Sequence, residues 1–509
     1  MIIAKPNTLR LILGDQLNIS HSWYQEQDQS NIFYVLMEIK PESEYVTHHI
    51  QKIIGFFLAM RDFQESLKQK KLNVIYYKIN DDNNLQDFTA NLNHLIHELN
   101  VQKFEMQEPD EYRLEQYFKD FTSSLKIEYQ TFSTEHFFTE RYELKNLFGD
   151  KDHYLMESFY RKMRQKHNVL MDKNKPEGDK WNFDHDNRKS LPKNHQASLQ
   201  LIFDNDFDDV LNDINQADLQ YFGNSENFNW PINYMQSKLA LDYFCNNHLQ
   251  TFGLYQDAMS IDDEFISHSK LSFSLNLKIL SPQEVINAAI QAYRNNTEIS
   301  LAQVEGFIRQ ILGWREFMRS FYWCKMPNFA KTNFFDHSSK LPEFYWTAKT
   351  KMNCLRHCIK SSLDNAYAHH IQRLMVTGNY ALLLGVDPNQ VDNWYLGVYI
   401  DAIEWVEITN TRGMSQWADG GGLATKPYIS SANYINKMSN YCKNCFYDHK
   451  EKLTDNACPF NFLYWAFLIK HQNLLKSNLR MSMMYKLLEK FTEEEKTEIL
   501  QKANDYRPE

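Results

Sequence analysis

The chain has 509 residues, of which 43% are hydrophobic and 14% aromatic, and its formal net charge at pH 7 is −10. A chain of this length can bury a large aromatic core spread over about two to four domains. The acidic balance argues against indiscriminate binding of nucleic acid, although a local basic face remains compatible with it.

We expect the protein to work in the cytoplasm, without a membrane. Its seven cysteines are odd in number and follow no regular framework, which is untypical of disulfide-bonded secreted proteins. No run of about 20 apolar residues could span a bilayer. We also expect no secretory signal, because Arg10 interrupts the first apolar run and no small-residue cleavage site follows it.

Short apolar runs alternate with helical patterns in the first part of the chain. The predicted strands cover residues 9–13, 32–39, 72–79, 103–106 and 126–132. The predicted helices cover residues 48–68, 85–99 and 111–124. This alternation is typical of a parallel, doubly wound sheet, which binds ligands beyond the carboxyl ends of its strands.

Gly14, Asp15 and Gln16 follow the first predicted strand, at the edge where such sheets bind ligands. They do not form the G-x-G-x-x-G signature, so the sequence does not indicate a nicotinamide cofactor. Taken alone, the three residues are more typical of a plain turn.

Strand signals nearly end after residue 140. An amphipathic helix is predicted over 154–166, and a polar, turn-rich stretch follows it. Trp181 and Phe183 stand among charges in this stretch, which is therefore either a functional loop or a docked connector. From Trp230 to about Lys490 the pattern predicts many helices. We therefore expect an α/β domain at 1–140, a connector at 141–230 and a large all-α domain at 231–509.

Four cysteines in the last third of the chain have the spacing of a metal or cluster site. Cys442 and Cys445 form a C-x-x-C pair, which places two thiolates on one turn. Cys458 follows shortly afterwards and precedes a proline, as the last ligand of many iron–sulfur runs does. Cys354, far upstream, could complete four sulfur ligands.

The spacing leaves alternatives open. A C-x-x-C pair also occurs in redox proteins, and His449 could complete a zinc site with the three clustered cysteines. Cys358 rivals Cys354, because the two are one helical turn apart and face the same side of a helix. Spacing alone decides neither the metal nor the upstream ligand.

The predicted helical domain contains a segment typical of phosphate binding. Hydroxyl and amide groups at the start of a helix bind phosphate oxygens, although the same groups serve in ordinary capping. The segment comprises Ser267, His268, Ser269, Lys270, Leu271 and Ser272.

Further candidates lie downstream. Arg373 and Asp401 are candidates for an internal ion pair, and Tyr367, His369 and His370 are predicted to share one helix, where adjacent histidines favour proton transfer.

Several aromatic residues could also be functional. Trp314 is predicted to lie on a helix among charged neighbours. Trp346, Trp394 and Tyr395 are more typical of core packing, and the alternative is a path for electron transfer.

Taken together, these motifs resemble the iron–sulfur bacterial cryptochromes and photolyases, a family that includes the prokaryotic (6-4) photolyases. The resemblance runs through nearly the whole chain. Each motif alone is weak, whereas all of them in this order are highly specific. The matching segments include LGDQL, EYVTHHIQK, MESFYRKMR, KWNFDHDNRK, HSKLSFSLN, EGFIRQILGWREFMR, NAYAHHIQRLM, DAIEWVEITN, GMSQWADGG and TKPYIS.

The resemblance implies the photolyase/cryptochrome architecture, with an α/β antenna domain and an all-helical domain that binds FAD. It implies a [4Fe-4S] cluster in a C-terminal cap, with Cys354 rather than Cys358 as the upstream ligand beside Cys442, Cys445 and Cys458. The implied antenna is 6,7-dimethyl-8-ribityllumazine. The residues implied to line the antenna pocket are Gly14, Asp15, Gln16, Glu38, Glu42 and Tyr45.

The resemblance also assigns roles around the flavin. Besides the Ser267–Ser272 segment, the implied FAD-binding residues are Trp314, Arg373, Asp401 and Glu407. Glu407 falls where other photolyases place an asparagine near flavin N5. The implied catalytic residues at the DNA lesion are His370, His369 and Tyr428. The implied path of photoreduction comprises Trp346, Trp394 and Tyr395.

The implied function is light-driven repair of (6-4) photoproducts in UV-damaged DNA by a monomeric enzyme, in which excited reduced FAD donates an electron and His370 a proton. Two other classes stay open at this point. One is a blue-light photoreceptor with little repair activity. The other is an iron–sulfur nucleic-acid-binding protein without flavin.

Overall fold

The computed structural model describes residues 7–508 of the protein. Residues 1–6, on which part of the expectation about a secretory signal falls, lie outside the described residues, as does Glu509. Among the described helices, none combines the length and the apolar character needed to cross a membrane.

Five parallel strands form the sheet that the sequence predicted, in the order β4-β2-β1-β5-β6. The order, with β1 at the centre and later strands added on both sides, is that of a doubly wound sheet. The strands of the first part of the chain, including the two-residue β3 outside this sheet, are β1 Thr8–Leu11, β2 Ile32–Met37, β3 His48–His49, β4 Asn73–Tyr77, β5 Lys103–Gln107 and β6 Glu128–Phe132.

Helices cover both faces of this sheet, because side chains along each strand alternate between the two faces. Tyr34 and Leu36 of β2 belong to the core beneath α2, whereas Val35 and Met37 belong to the core beneath α3 and α4. The helices of this part are α1 Lys40–Glu44, α2 Ile50–Gln69, α3 Phe88–Glu98 and α4 Tyr112–Ser124.

The connector is docked onto the rest of the protein rather than left as a free loop. The Arg164 guanidinium lies 5.4 Å from the centre of the Trp181 ring. The backbone N–H of Phe183 donates to Glu305 at 3.3 Å. The connector contains α5 Glu143–Phe148, α6 Met156–His167, β7 Met171–Asp172, β8 Lys175–Pro176, α7 Asp208–Gln216 and β9 Tyr221–Phe222.

The remainder of the chain is helical, as the sequence predicted. Its largest hydrophobic core extends from the connector to Leu488. The helices are α8 Tyr234–Asn247, α9 Leu249–Tyr255, α10 Ser272–Asn276, α11 Pro282–Asn295, α12 Leu301–Ile308, α13 Glu316–Lys325, α14 Phe344–Thr347, α15 Asn353–Asn365, α16 His370–Gln372, α17 Asn379–Leu384, α18 Pro388–Val398, α19 Glu404–Ile408, α20 Ala432–Met438, α21 Pro459–Lys470, α22 Gln472–Leu475, α23 Ser482–Leu488 and α24 Glu493–Asp505.

One local prediction is wrong: Tyr367 and His369 do not share a helix with His370. The helix α15 ends at Asn365, where Ala366 adopts a left-handed backbone conformation with φ 50°. Residues 367–369 belong to no helix or strand, and α16 begins only at His370. Core packing decides this conformation, since the Tyr367 ring is buried 5.5 Å from the Trp230 ring.

Candidate functional site

The helical domain encloses a cavity of about 980 Å³. This volume lies at the upper end of the range for cavities that bind small molecules and cofactors, about 300–1,000 Å³. Three π-helical turns contribute lining residues, namely Arg309–Arg315, Arg373–Gly378 and Thr409–Ser415. Such turns are rare and are found mainly at functional sites.

Two of these turns approach each other closely at Gly378. A Cβ atom at this position would lie 2.1 Å from Ser415 Oγ and 2.7 Å from the carbonyl oxygen of Arg373. Only glycine allows this approach, which fixes the relative position of two cavity walls.

Arg373 and Asp401 form the predicted ion pair in the cavity wall. Arg373 Nη1 lies 3.0 Å from Asp401 Oδ1, and Nη2 lies 3.2 Å from Oδ2. The Ser272 hydroxyl donates to Asp401 at 2.6 Å, and the guanidinium lies 3.7 Å from the centre of the Tyr399 ring. Burial opposes the charge of Arg373, but Asp401, Tyr399 and Tyr367 together outweigh burial and raise the pKa of Arg373.

The Ser267–Ser272 segment runs along the cavity, with one exception. Its residues His268 to Ser272 line the wall. Ser267 is instead buried, and its hydroxyl lies 2.6 Å from the Thr251 hydroxyl. The helix that follows, α10, has only five residues. Anion binding here would therefore rest mainly on side chains such as Ser269 and Lys270 rather than on a helix dipole.

Glu407 lies in the wall with a carboxyl group that favours the protonated form. Burial, and then the nearby Asp392, raise its pKa well above the ordinary value. The Thr411 hydroxyl lies 2.6 Å from both carboxyl groups and can donate only one proton. A protonated Glu407 satisfies this geometry by donating to Thr411, while Asp392 pairs with Arg412 at 2.6 Å.

Three histidines lie at one end of the cavity, and only two of them line it. His268 and His370 line the wall, whereas His369 is fully buried and stacks on His268 with ring centroids 4.4 Å apart. The His370 side chain is exposed within the cavity. Desolvation of the ring by the cavity walls, followed by the charge of Arg373, lowers the pKa of His370 to about 4. The ring is therefore neutral near pH 7 in this structure.

Aromatic rings lead away from the cavity through Tyr395. Its ring lines the cavity, and its centroid lies 5.1 Å from that of Trp394. The Trp394 ring is buried and lies 5.1 Å from the ring of Tyr345. Trp346, the next residue, is 42% exposed and contacts Phe222 at 5.1 Å. Tyr395, Trp394 and the additional residue Tyr345 thus form a row of contacting rings that begins at the cavity, and Trp346 follows Tyr345 in the chain and lies at the surface.

The cavity is basic in a protein that is acidic overall. Eight Lys or Arg side chains and four Asp or Glu side chains line it. Four of the cations, which we call the basic rim, are exposed to solvent; they are Arg188, Lys426, Lys437 and Arg480. Tyr428 lies half-buried beside them, and burial raises its pKa. The rim favours an anionic partner of the cavity.

A second, smaller cavity of about 120 Å³ lies at the carboxyl end of the sheet strands and reaches the helical domain at Ala402 and Ile403. Ala402 lines both cavities, so a single wall separates them. Five of the six residues predicted for an antenna pocket line this cavity, namely Gly14, Asp15, Glu38, Glu42 and Tyr45.

The sixth residue, Gln16, lies outside the cavity lining. Its side chain accepts from the Leu13 N–H at 3.0 Å and donates to the Glu108 carbonyl at 3.2 Å, so it closes the turn instead. Glu38 is held by two bonds from Arg61 of 2.7 and 2.9 Å. The acidic residues here are largely paired within the protein.

The predicted cluster cysteines come from three separate elements. Cys354 lies in the first turn of α15, Cys442 and Cys445 follow α20, and Cys458 is the N-cap of α21. Burial, followed by Cys458, Cys358, Cys442 and Cys445 in that order, raises the pKa of Cys354 well above its ordinary value. Among residues 7–508, no three His, Cys, Asp or Glu groups form a compact site for a single metal ion.

The structure distinguishes Cys354 from Cys358. Both are buried on α15, but the Cys358 thiol lies 3.7 Å from the Tyr441 hydroxyl. Cys442 and Cys445 affect the pKa of Cys354 and of Cys458, whereas for Cys358 the effects are burial and Tyr441. Cys354 is therefore the better placed partner for the three downstream cysteines.

Sequence reasoning missed several lining residues. Tyr399 lies beneath Arg373, and its position four residues after Tyr395 on the chain was the available signal. Arg315 belongs to a segment that the motifs included, and it lines the large cavity. Lys52 lines the small cavity within the EYVTHHIQK motif. No sequence pattern pointed to Arg480.

Comparison with known proteins now assigns the family. The family model described as deoxyribodipyrimidine photo-lyase-related protein matches residues 10–230. The (6-4) photolyase of Agrobacterium fabrum is 42% identical over 497 residues, which cover 97% of this chain and 98% of the relative.

The chain belongs to the photolyase family. An uncharacterized protein of Acanthamoeba polyphaga mimivirus is also 37% identical over 90 residues, covering 18% of this chain and 70% of that protein.

Solved structures show the same fold. A bacterial class III photolyase from Agrobacterium tumefaciens superposes with a TM-score of 0.59 at 15% identity, covering 84% of this chain and 83% of that one. A cryptochrome from Synechocystis gives a TM-score of 0.52 at 12% identity, covering 81% and 83%.

Photolyases and cryptochromes bind FAD, and the large cavity of this photolyase-family chain suits such a group. Its volume is sufficient, and its lining includes the Arg373–Asp401 pair and, in Glu407, a carboxyl group that favours the protonated form. His268 Nε2, in the cavity wall, is buried and has no hydrogen-bond partner among the described residues. A polar ligand would supply the missing partner.

Proposed function

We propose that the protein is a light-driven (6-4) photolyase that reverses (6-4) pyrimidine–pyrimidone photoproducts in UV-damaged DNA. The observation that carries this proposal is the match to a (6-4) photolyase over 97% of the chain. The open position of His370 in a cavity with a basic rim supports it.

The large cavity would hold FAD. The side chains of Ser269, Lys270 and Ser272 would face its diphosphate, and Trp314 would contribute to the wall. The Arg373–Asp401 pair and Glu407 would lie beside the ring system. When bound, FAD supplies, under light, the single electron that the repair requires.

Glu407 would hold a proton near the flavin. Its raised pKa favours the protonated form, which can donate a hydrogen bond where a carboxylate could only accept one. Protonation of Glu407 would also avoid placing a second negative charge beside a reduced ring system.

His370 would transfer a proton to the damaged bases, and Tyr428 would help to position them. In the protein without bound DNA, His370 is neutral, because its pKa is lowered to about 4. The phosphates of a docked lesion would favour the charged ring and raise this pKa. Docking would therefore prepare His370 to give its proton to the lesion. His369, buried behind His268, would act as a positioning residue.

The basic rim would receive the DNA. Its four exposed cations surround the opening, whereas the chain as a whole carries a net charge of −10. Attraction would therefore concentrate at the cavity and direct the phosphate backbone to it. A damaged dinucleotide stacks poorly, so flipping it into the cavity costs only about a few kcal/mol.

Tyr395, Trp394 and Trp346 would carry electrons to the flavin from outside the protein. The ring centroids of Tyr395 and Trp394 lie 5.1 Å apart, and Tyr345 contacts Trp394 at the same separation. Trp346 provides the exposed end.

The small cavity would be the site of the antenna, 6,7-dimethyl-8-ribityllumazine, and would have to open further to hold it, because its volume of about 120 Å³ is below the usual range for such ligands. It lies at the strand ends of the sheet and shares a wall with the large cavity at Ala402. A short separation of this kind suits transfer of excitation energy between two pigments.

Cys354, Cys442, Cys445 and Cys458 would bind a [4Fe-4S] cluster. They come from three separate elements of the chain, an arrangement that favours a cluster, whereas zinc is favoured when the ligands are local in sequence.

We also propose a monomeric cytoplasmic enzyme. All seven cysteines are free thiols in the structure, which suits a reducing compartment. Size-exclusion chromatography with light scattering tests the oligomeric state, and a dimer at micromolar concentration would contradict it.

The decisive experiment illuminates the purified, chemically reduced protein with an oligonucleotide that carries one (6-4) photoproduct. We expect chromatography to show the intact dinucleotide restored in light and not in the dark. Matched oligonucleotides with a cyclobutane dimer and with no lesion show the substrate range. A flavin-containing preparation that restores no (6-4) lesion would overturn the proposal in favour of a photoreceptor.

A further inference from the structure

Leu479 is the most exposed large hydrophobic residue of the described chain, with 89% of its surface accessible. Single exposed leucines are common on protein surfaces, so exposure alone assigns no role. The position of this one is unusual, because its neighbour Arg480 lines the opening of the large cavity.

The backbone around Leu479 is fixed to the opening. The Asn478 side chain donates to the carbonyl oxygen of Thr425 at 3.0 Å, and Thr425 also lines the cavity. The same side chain accepts from the Arg480 N–H at 3.0 Å. Leu479 therefore lies on a turn that hydrogen bonds hold against the opening of the large cavity.

The following residues hold this turn in the core. Met481 is 2% exposed, and its N–H donates to the Asn478 carbonyl at 2.8 Å. The Ser482 hydroxyl donates to the Leu479 carbonyl at 2.9 Å. An apolar side chain that is exposed on a well-anchored turn can enter a partner without a large cost in chain entropy.

The charges around Leu479 identify the partner as an anionic polymer. Arg480 lies close enough to affect the pKa of both Lys426 and Tyr428. These residues belong to, or lie beside, the basic rim. An apolar residue among cations suits a DNA duplex, whose interior is apolar and whose backbone is negative.

We propose that Leu479 inserts into the duplex gap that remains when the lesion is flipped into the large cavity. This inference rests on the proposed function. A flipped dinucleotide leaves the opposite bases without partners and exposes the faces of the flanking pairs. An inserted leucine would cover that apolar surface, as apolar wedge residues do in other DNA-bending proteins. Arg480 and Lys426 would hold the adjacent phosphates.

The test compares two substrates for Leu479→Ala: a duplex and a single strand, each with one (6-4) photoproduct. Only the duplex has a gap to fill. We expect binding to the damaged duplex to weaken about tenfold, and binding and repair of the damaged single strand to stay within about twofold of the unchanged protein. Leu479→Met should restore binding to the duplex.

Leu199→Ala is the matched control, because Leu199 is 82% exposed and does not line the cavity. It should behave as the unchanged protein on both substrates. Flavin absorbance verifies the fold of each variant. Equal effects of Leu479→Ala on both substrates, or no effect on either, would overturn the inference while leaving the proposed function intact. Failure of the unchanged protein on both substrates would overturn the proposed function itself.

Discussion

His370 differs from its two histidine neighbours in what surrounds it. His268 and His369 stack on each other, and burial lowers the pKa of His268 to about 3 and that of His369 well below its ordinary value. Both therefore stay neutral and shape the wall. His370 alone is exposed within the cavity, so a ligand there can both contact the ring and change its charge.

We expect His370→Ala to lower repair of the (6-4) photoproduct by at least about a hundredfold, the usual scale for loss of a proton-transfer group. Flavin binding should remain, because Arg373, Asp401 and Glu407 are unchanged. Product chromatography and flavin absorbance measure the two effects. His94→Ala, an exposed histidine of α3, is the control. Normal repair by His370→Ala would remove this residue from the mechanism.

The buried indole of Trp394 is predicted to affect photoreduction of the flavin and not the repair itself. We expect Trp394→Phe to slow photoreduction of the flavin about tenfold or more, because phenylalanine keeps the packing but is much harder to oxidise. Repair by chemically reduced protein should be unaffected. Absorbance during illumination follows the reduction. Trp465→Phe, on α21, is the control, and an unchanged rate in Trp394→Phe would exclude this residue from the path.

At the scale of elements, a network of buried charges joins the sheet to the helical domain. Lys278, which follows α10, is 1% exposed and lies 2.7 Å from Asp15 and 2.8 Å from Asp110. Arg319 of α13 lies 3.3 Å from Asp110. Burial raises the pKa of Asp110, but the two cations outweigh burial and lower it to about 2.

We expect Lys278→Met to destabilise the protein by about 3–5 kcal/mol, because two carboxylates would remain buried together without this cation. Urea unfolding followed by tryptophan fluorescence measures the loss. The control is Lys145→Met, since the Lys145–Asp150 pair is exposed and should contribute nothing measurable. Equal stability of the two variants would show that the network does not hold the domains together.

The three elements that carry the cluster cysteines form a second link between distant parts of the chain. Cys458 caps α21, whose apolar residues pack into the main core, and Cys354 opens α15. Four ligands from three elements would add metal ligation to the packing and hydrogen bonds that already connect these parts, such as the bond from the Ala432 N–H to Asn461. Metal ligation of this kind contributes directly to local stability.

We expect Cys442→Ser to lose most of its iron and its brown absorbance, and its C-terminal helices to be cleaved by trypsin about tenfold faster. Iron analysis and timed proteolysis measure both effects. Cys324→Ser, which changes a half-buried cysteine outside the cluster set, should retain iron and resistance. A stable Cys442→Ser variant with full iron content would contradict the ligand assignment.

At the scale of the whole molecule, charge is distributed unevenly. The net charge of −10 would repel DNA from most of the surface, whereas eight cations against four anions line the large cavity. The protein should therefore bind DNA in one place and one orientation, with an affinity that depends strongly on salt.

We expect the affinity for the damaged duplex to fall steeply with salt concentration. Lys437→Gln should reduce the slope of log affinity against log salt by about one, because one phosphate contact is lost. Fluorescence anisotropy across a salt series gives the slopes. Lys68→Gln, on α2 and paired at the surface with Glu65, is the control. Equal slopes in both variants would place the DNA elsewhere.

Much of this architecture could be predicted from the sequence, because its signals are local. The short apolar runs that alternate with helical patterns are visible in the chain itself, and the run at residues 32–37 is apolar throughout because both faces of its strand are buried. The motifs likewise indicated the family, which the relative of 42% identity shows. Their order along the chain was enough for this.

Other features were decided only by tertiary contacts. Packing against Trp230 holds Tyr367 outside a helix, and the hydrogen bonds of Gln16 turn it away from the small cavity. The distinction between Cys354 and Cys358 depends on Tyr441, which is distant in sequence. For the same reason, the sequence could not predict that Leu479 is exposed beside the large cavity. Local pattern determines which elements form, whereas contacts between distant residues determine which side chains face a common space.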